Sequence, residues 1–220
     1  MSTRETFLTR VRKAVADGNR SGDAAPLPER GDVGYLGGGD DLLATFVERA
    51  RTYGMHPVIV ATREELLAKI DAILTARSAN KILVGRGAWI SELDVERCLR
   101  SSGRETVSPD AARDALFAAD ASVTEVADLI AETGSLVIAA GPHMTRSESL
   151  IVPLHIAIAR PEQLVPDVFD LFERFSPTNM PASNLVLITG PSKTGDIEMK
   201  LVTGVHGPGE VHVLIFRTPV

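Results

Sequence analysis

Residues 57–85 read PVIVATREELLAKIDAILTARSANKILVG, and this stretch decides the fold. Pro57–Ala61 is a compact β-branched run. Thr62 with Glu65 opens a helix carrying Leu66, Leu67, Ile70, Ile73 and Leu74, and Lys81–Gly85 is a second apolar strand. Continuous apolar strands separated by amphipathic helices imply a parallel sheet covered on both faces. Upstream, Leu42, Leu43, Phe46, Val47 and Ala50 line one face of a helix that Gly54 can close. Downstream, a helix includes Val95 and Leu99, and Ser108-Pro109 caps another through Phe117.

The second half changes character. Ala127–Ile138 is largely apolar but interrupted by Glu132-Thr133-Gly134-Ser135. Strand-like Ile151–Ala159 comes next, then a helix around Pro166–Phe175, a strand at Leu185–Thr189 and a last strand at Val211–Phe216. The expected architecture is an α/β open sheet with flanking helices and antiparallel additions towards its C-terminal half. Ahead of it, Ser2 and Glu5 make a capping-box pattern, and Phe7, Leu8, Val11, Ala14 and Val15 recur at helical spacing. Gly18–Gly39, with Pro26 and Pro28, reads as a flexible linker. The expected division is an N-terminal helix and Gly/Pro-rich linker over 1–39 and one domain over 40–220. The first helix is either a solvated tether or an arm that docks on a partner or a second copy, so a homo-oligomer is among the readings.

Composition narrows the function. The 220 residues carry 23 basic and 29 acidic side chains, a net charge of −6, and 44% are hydrophobic. No basic field exists to hold a phosphate backbone, so nucleic acid is not an expected partner. Cys98 is the single cysteine, too few for an internal disulfide, a four-thiolate zinc site or an iron–sulfur cluster. It reads as a buried thiol. Met1–Arg20 lacks the apolar core of a signal peptide, and the most apolar run, Leu150–Ala159, is too short to span a bilayer. A cytoplasmic protein is expected.

Candidate chemistry sits at three interruptions. In the first, Glu132 beside a glycine turn could act as base, nucleophile or acceptor at a strand end, with Thr133, Gly134 and Ser135 facing an anion. The plain alternative is an ordinary hairpin tip. In the second, Thr189–Asp196 comes after a strand and precedes a possible short helix, Ile197–Leu201. Gly190, Ser192, Lys193 and Thr194 could cradle an anion there, although Ser192 stands where a phosphate-binding P-loop needs glycine. In the third, His206 and Gly207 lie in the glycine turn Gly204–Gly209, where a histidine could shuttle a proton or be merely structural. Arg146 could clamp a carboxylate or phosphate, or form an exposed ion pair. Gly85-Arg86-Gly87 is a weaker candidate of the same kind. Among His143, His155, His206 and His212, no pair has the spacing of a helical metal site, so no metal ligand is assigned.

Taken in order, Ala131-Glu132-Thr133-Gly134-Ser135-Leu136, Arg146 with Ser149-Leu150, Pro153-Leu154-His155-Ile156, Ile188–Thr194, Asp196-Ile197-Glu198, Gly204–Pro208 and His212-Val213 resemble the LUD-domain family. The likeness covers most of the chain and is most specific from about residue 123 onward. Ile151-Val152 departs from the family's leucine before proline, and Gly195 from its usual alanine. The resemblance implies a sheet related to ribose-5-phosphate isomerase, glucosamine-phosphate deaminase and CoA transferases. It also implies a place in a three-protein bacterial system that oxidises L-lactate to pyruvate. The iron–sulfur clusters of that system belong to partner subunits, and this chain binds no cofactor of its own. The expected site holds a small carboxylate or phosphate, with Arg146 and the Thr189–Thr194 loop on the anion and Glu132 or His206 handling any proton. A stand-alone transferase or isomerase built on the same sheet, with Glu132 in a setting loosely similar to the CoA-transferase glutamate, and a pure assembly subunit are the alternatives.

Overall fold

The computed structural model describes residues 3–18, 36–141, 145–175, 184–195, 201–204 and 206–217. In chain order the elements begin with α1 (Thr3–Gly18), α2 (Leu42–Thr52), β1 (His56–Val60), α3 (Arg63–Ala76), β2 (Lys81–Val84), α4 (Ala88–Glu92), α5 (Val95–Ser101) and β3 (Glu105–Val107). Then come α6 (Arg113–Phe117), β4 (Ala121–Glu125), β5 (Asp128–Ile130), β6 (Ser135–Ala140), α7 (Ser147–Leu150), β7 (Leu154–Ala159) and β8 (Leu164–Val165). The last are α8 (Val168–Arg174), β9 (Asn184–Ile188), β10 (Lys193–Gly195), β11 (Leu201–Thr203) and β12 (Glu210–Phe216).

Local chemistry sets the ends of the helices. The Asp41 side chain accepts the N–H of Ala44 to start α2, and Thr62 accepts the N–H of Glu65 to start α3. Gly54, at φ +89°, lets the chain leave α2 and turn directly into β1.

The parallel sheet that residues 57–85 predict is present, in the order β1-β12-β7-β4-β2-β3, with every neighbouring pair parallel. One face packs on α3, α4 and α5 through Val60, Leu66, Ile70, Ile82, Ile156 and Leu214. The opposite face meets α2 and a second sheet, β8-β5-β6-β9, through Phe46, Ala50, Leu136, Ala157, Val213 and Ile215. In that second sheet β5 and β9 both run antiparallel to β6, the antiparallel additions expected of the second half.

Several boundaries differ from the sequence reading. Ile151–Pro153 are not part of a strand, because Pro153 offers its carbonyl to Gly209 and Glu210 and β7 starts at Leu154. Ser108-Pro109 does not cap α6, which starts after Ala112. Cys98 is half-buried on α5, with the Arg63 guanidinium 3.8 Å from its sulfur. Ser2, residues 19–35 of the expected linker and His143 lie outside the described residues.

The chain divides into two units, Met1–Tyr35 and Leu36–Val220. Within the first, α1 exposes Phe7, Val11 and Val15 along one stripe. Among the described residues no helix is long and apolar enough to cross a membrane.

The sheet interior is not wholly apolar. Ser122, Thr124 and His155, all fully buried, lie on the face away from α3. His155 Nε2 hydrogen-bonds Thr124 Oγ1 at 2.8 Å. Burial drives the His155 pKa down to about 4, below the ordinary 6.5, so the ring is neutral at pH 7. Between those two values the unfolded chain binds a proton that the native site refuses. The contribution is therefore intact above pH 6.5 and is lost as pH falls towards 4, at a cost of about 3 kcal/mol. Buried Glu148 acts in the opposite sense: desolvation raises its pKa, so its contribution is lost as pH rises through that raised value. Urea unfolding from pH 7.5 to 4.5 isolates the histidine when wild type is compared with His155→Gln. The difference in stability between the two narrows or inverts as pH falls; a constant difference contradicts the assignment.

Candidate functional site

Three separated segments of the sequence meet near the amino-terminal ends of β7 and β12. The Ser192 N–H donates to the Pro208 carbonyl at 2.8 Å, and the Gly204 N–H returns to the Ser192 carbonyl at 2.9 Å. Gly207 packs so close that a Cβ on it would sit 3.4 Å from Ser192 Cβ. These contacts tie the loop after β9 to the Gly204–Gly209 turn ahead of β12. His206 is exposed on that turn. Lys193 is also exposed, its Nζ 3.6 Å from where a Cβ on Gly54 would stand.

The Glu132 segment joins the same loop through hydroxyl groups. Thr133 Oγ1 lies 2.7 Å from Ser135 Oγ, which lies 2.6 Å from Thr189 Oγ1. Three hydroxyls joined by two hydrogen bonds leave one O–H over, and a chain of this kind polarises along its length. It ends beside Gly190. That residue needs its φ of +97° and its missing side chain, since a Cβ there would lie 2.4 Å from the Tyr53 carbonyl oxygen.

Glu132 itself sits in the turn between β5 and β6, the hairpin-tip alternative of the sequence reading. Its carboxylate accepts the N–H of Leu36 at 2.8 Å and that of Gly37 at 3.4 Å. Its own N–H donates to the Pro166 carbonyl. The residue thus fastens the segment leading into α2 against the hairpin.

The structure accordingly links Thr133, the buried Ser135, Gly190, Ser192 and Gly207 through hydrogen bonds and close packing, with Lys193 and His206 exposed beside them. Gly134 forms the packed back of the turn. Arg146 is exposed at the start of α7, and the Leu150 carbonyl at the other end of that short helix lies 3.9 Å from a Cβ on Gly207. Lys193–Gly195 is strand β10, paired antiparallel with Leu201–Thr203, so Leu201 is strand, and the rest of the helix expected over Ile197–Leu201 falls outside the described residues. The backbone of Thr194 belongs to β10, while its side chain and residues 196–200 lie outside the described residues.

At the opposite, carboxyl end of the sheet a cleft of about 770 Å³ opens beside Gly85-Arg86, with Ser91, Arg97, Arg100 and Ser108 in its walls. Its guanidinium groups already have carboxylate partners: Arg86 with Asp110, Arg97 with Asp94, and Arg100 with Glu96 at 2.6 Å. Glu148 is buried next to this region, accepting the Thr145 N–H at 2.6 Å and lying 2.9 Å from where a Cβ on Gly85 would be. Desolvation raises its pKa, partly countered by the bonds from Thr145 and by the Arg86 charge. Its neighbourhood depends on Gly85 having no side chain.

One group of ionisable side chains has no signature in the sequence. His56, Glu210 and His212 converge at the start of β1 and β12. Of the three, only His212 is among the histidines weighed from the sequence, where no metal ligand is assigned. Spacing along the chain carries no signal for His56, because strand pairing alone brings it there.

The chain itself has recognisable relatives. The LUD domain family model matches residues 43–216, and the chain belongs to that family. A lactate utilization protein C from Deinococcus radiodurans is 29% identical over 214 residues, 95% of this chain and 93% of that protein. Another lactate utilization protein C, from Halalkalibacterium halodurans, is 28% identical over 93% of this chain and 94% of its own length. A solved structure of a DUF162 family protein from Deinococcus radiodurans superposes with a TM-score of 0.61 at 25% identity, covering 87% of this chain and 99% of that one.

Gly134 tests whether the hairpin is seated as described. At φ +63°, a Cβ on it would lie 2.5 Å from the Ala50 backbone nitrogen in α2. Gly134→Ala should cost about 2–4 kcal/mol in chemical denaturation, from the strained φ together with overpacking. A change within experimental error would show that α2 and the turn are not in contact.

Proposed function

We propose that this LUD-domain protein serves L-lactate utilization as the component of a lactate-oxidising system that lacks a redox centre. L-lactate is oxidised to pyruvate, and the electrons pass through iron–sulfur clusters in partner subunits. One cysteine, Cys98, cannot ligate such a cluster, so the chain's own contribution is binding and positioning. Support for the pathway comes from the relatives named lactate utilization protein C, which align with it nearly end to end.

The observation that carries the site is the convergence of the Thr133–Ser135–Thr189 hydroxyl chain with Ser192 and the Gly204–Gly209 turn. A small carboxylate or phosphate anion here would meet the ammonium of Lys193 and the exposed Thr189 hydroxyl. Glycines at 190 and 207 keep the backbone accessible to a close ligand. His206, exposed on its turn, is the group placed to take or give a proton. Glu132 holds the hairpin that carries Thr133 and, behind it, the buried Ser135.

The test is L-lactate oxidation by the reconstituted partners with and without this chain. Omitting it should abolish most of the turnover. Lys193→Ala should lower the rate at limiting lactate by about tenfold or more, the worth of one charge-assisted hydrogen bond. Undiminished oxidation without the chain overturns the pathway reading, whereas a required chain that tolerates both Lys193→Ala and His206→Ala overturns the site alone.

A further inference from the structure

We propose that His56, Glu210 and His212 form a binding site for one divalent transition-metal cation of the zinc type. The fold builds the cluster in a simple way. His56 and His212 are register partners on the adjacent parallel strands β1 and β12. Glu210, two residues before His212, projects from the same face of the same strand. The two imidazole rings stack with centroids 4.7 Å apart and planes inclined by 29°. Each residue offers a donor atom, and the three atoms all lie within 4.8 Å of one another.

The carboxylate is already aimed. Arg77, at the C-terminal end of α3, holds Glu210 Oε2 at 2.6 Å, which leaves Oε1 directed at His212 Nε2, also at 2.6 Å. A partner that fixes the far oxygen of a ligating carboxylate is the usual outer-shell arrangement of a metal site. Donor atoms around a tetrahedral ion with bonds of 2.0–2.1 Å stand about 3.3 Å apart. A cation therefore enters when the neutral His212 ring carries its proton on Nδ1, which frees Nε2 as a ligand, and the gap to Glu210 opens by less than an ångström. The other separations need only close by side-chain rotation.

The donor set selects the ion. Two imidazole nitrogens and one carboxylate suit zinc and its first-row neighbours; magnesium and calcium require oxygen ligands. Three protein ligands leave a fourth position for water, the pattern of an open zinc site. His56 is exposed and Glu210 and His212 are half-buried, so the ion reaches the site from solvent without rearrangement of the core. The local charge is modest because Arg77 offsets Glu210, which places the binding expected here in the micromolar range rather than among tightly closed structural sites.

The full chain, stripped with chelator and then titrated with Zn²⁺ by calorimetry, tests this proposal. One equivalent should bind and raise the Tm, and Mg²⁺ should not compete. His56→Gln should weaken Zn²⁺ binding roughly a hundredfold and abolish the shift in Tm, as should Glu210→Gln. Because His56 is exposed, its variant keeps the fold, which the metal-free Tm and circular dichroism check. Should Glu210→Gln fail to fold, His56→Gln decides. Wild type that binds no Zn²⁺, wild type that binds Mg²⁺ equally well, or a His56→Gln variant that binds like wild type overturns the site.

Discussion

Insertion of the last strand between β1 and β7 is the constraint on which the rest of the structure depends. β12 is bonded on both sides, to β1 over His56–Val60 and to β7 over Leu154–Ala159. Val211, Val213, Leu214 and Ile215 are completely buried. Neither cover of the sheet is complete without it, since Leu214 belongs to the core under α3 and Val213 to the core under α2. Until the C-terminus arrives, β1 has no parallel neighbour and the apolar faces on both sides stay open to water. Such pairing between distant parts of a chain forms late, because its loop-closure entropy must be met before contacts return it.

The same insertion organises the chemistry. The alternation of side chains along β12 sends Val211, Val213 and Ile215 to the side carrying the second sheet, and Glu210 and His212 to the side carrying α3. The turn that delivers the strand, Gly204–Gly209, is fixed by bonds from Gly209 to Pro153 and from Ser192 to Pro208. One strand thus positions the proposed anion loop at its entrance and the histidine–carboxylate group just inside. Both proposed sites lie at the amino-terminal rim. The arginine-walled cleft at the carboxyl rim, where ligands of open α/β sheets are commonly found, has its cations matched by Asp110, Asp94 and Glu96.

Legibility in the sequence depends on the range of each signal. Helical spacing in Leu66, Ile70, Ile73 and Leu74 and the apolar runs at 57–61 and 81–85 are local, and they identify α3, β1 and β2 within a few residues. Family-like segments also point to residues that the fold does join, such as Ser135 with the loop after β9. Strand order is not legible, because Val211–Phe216 would read the same at an edge as in the middle of the sheet. Nor is the state of Glu132: nothing in Glu-Thr-Gly distinguishes a free carboxylate from one that accepts N–H groups of Leu36 and Gly37. The loop at 193–195 reads as a helix entrance yet forms a hairpin strand, since Ser, Thr and Gly suit either equally well. His56 has no local pattern at all.

Native-state amide hydrogen exchange tests the central claim most directly. If β12 closes the sheet, the amides of Val213, Leu214 and Ile215 exchange only through global unfolding, with the same free energy as those of Ile156–Ile158 in β7. Exchange of β12 through a partial opening that leaves β7, β4 and β2 protected would contradict it, since the sheet would then stand without its last strand.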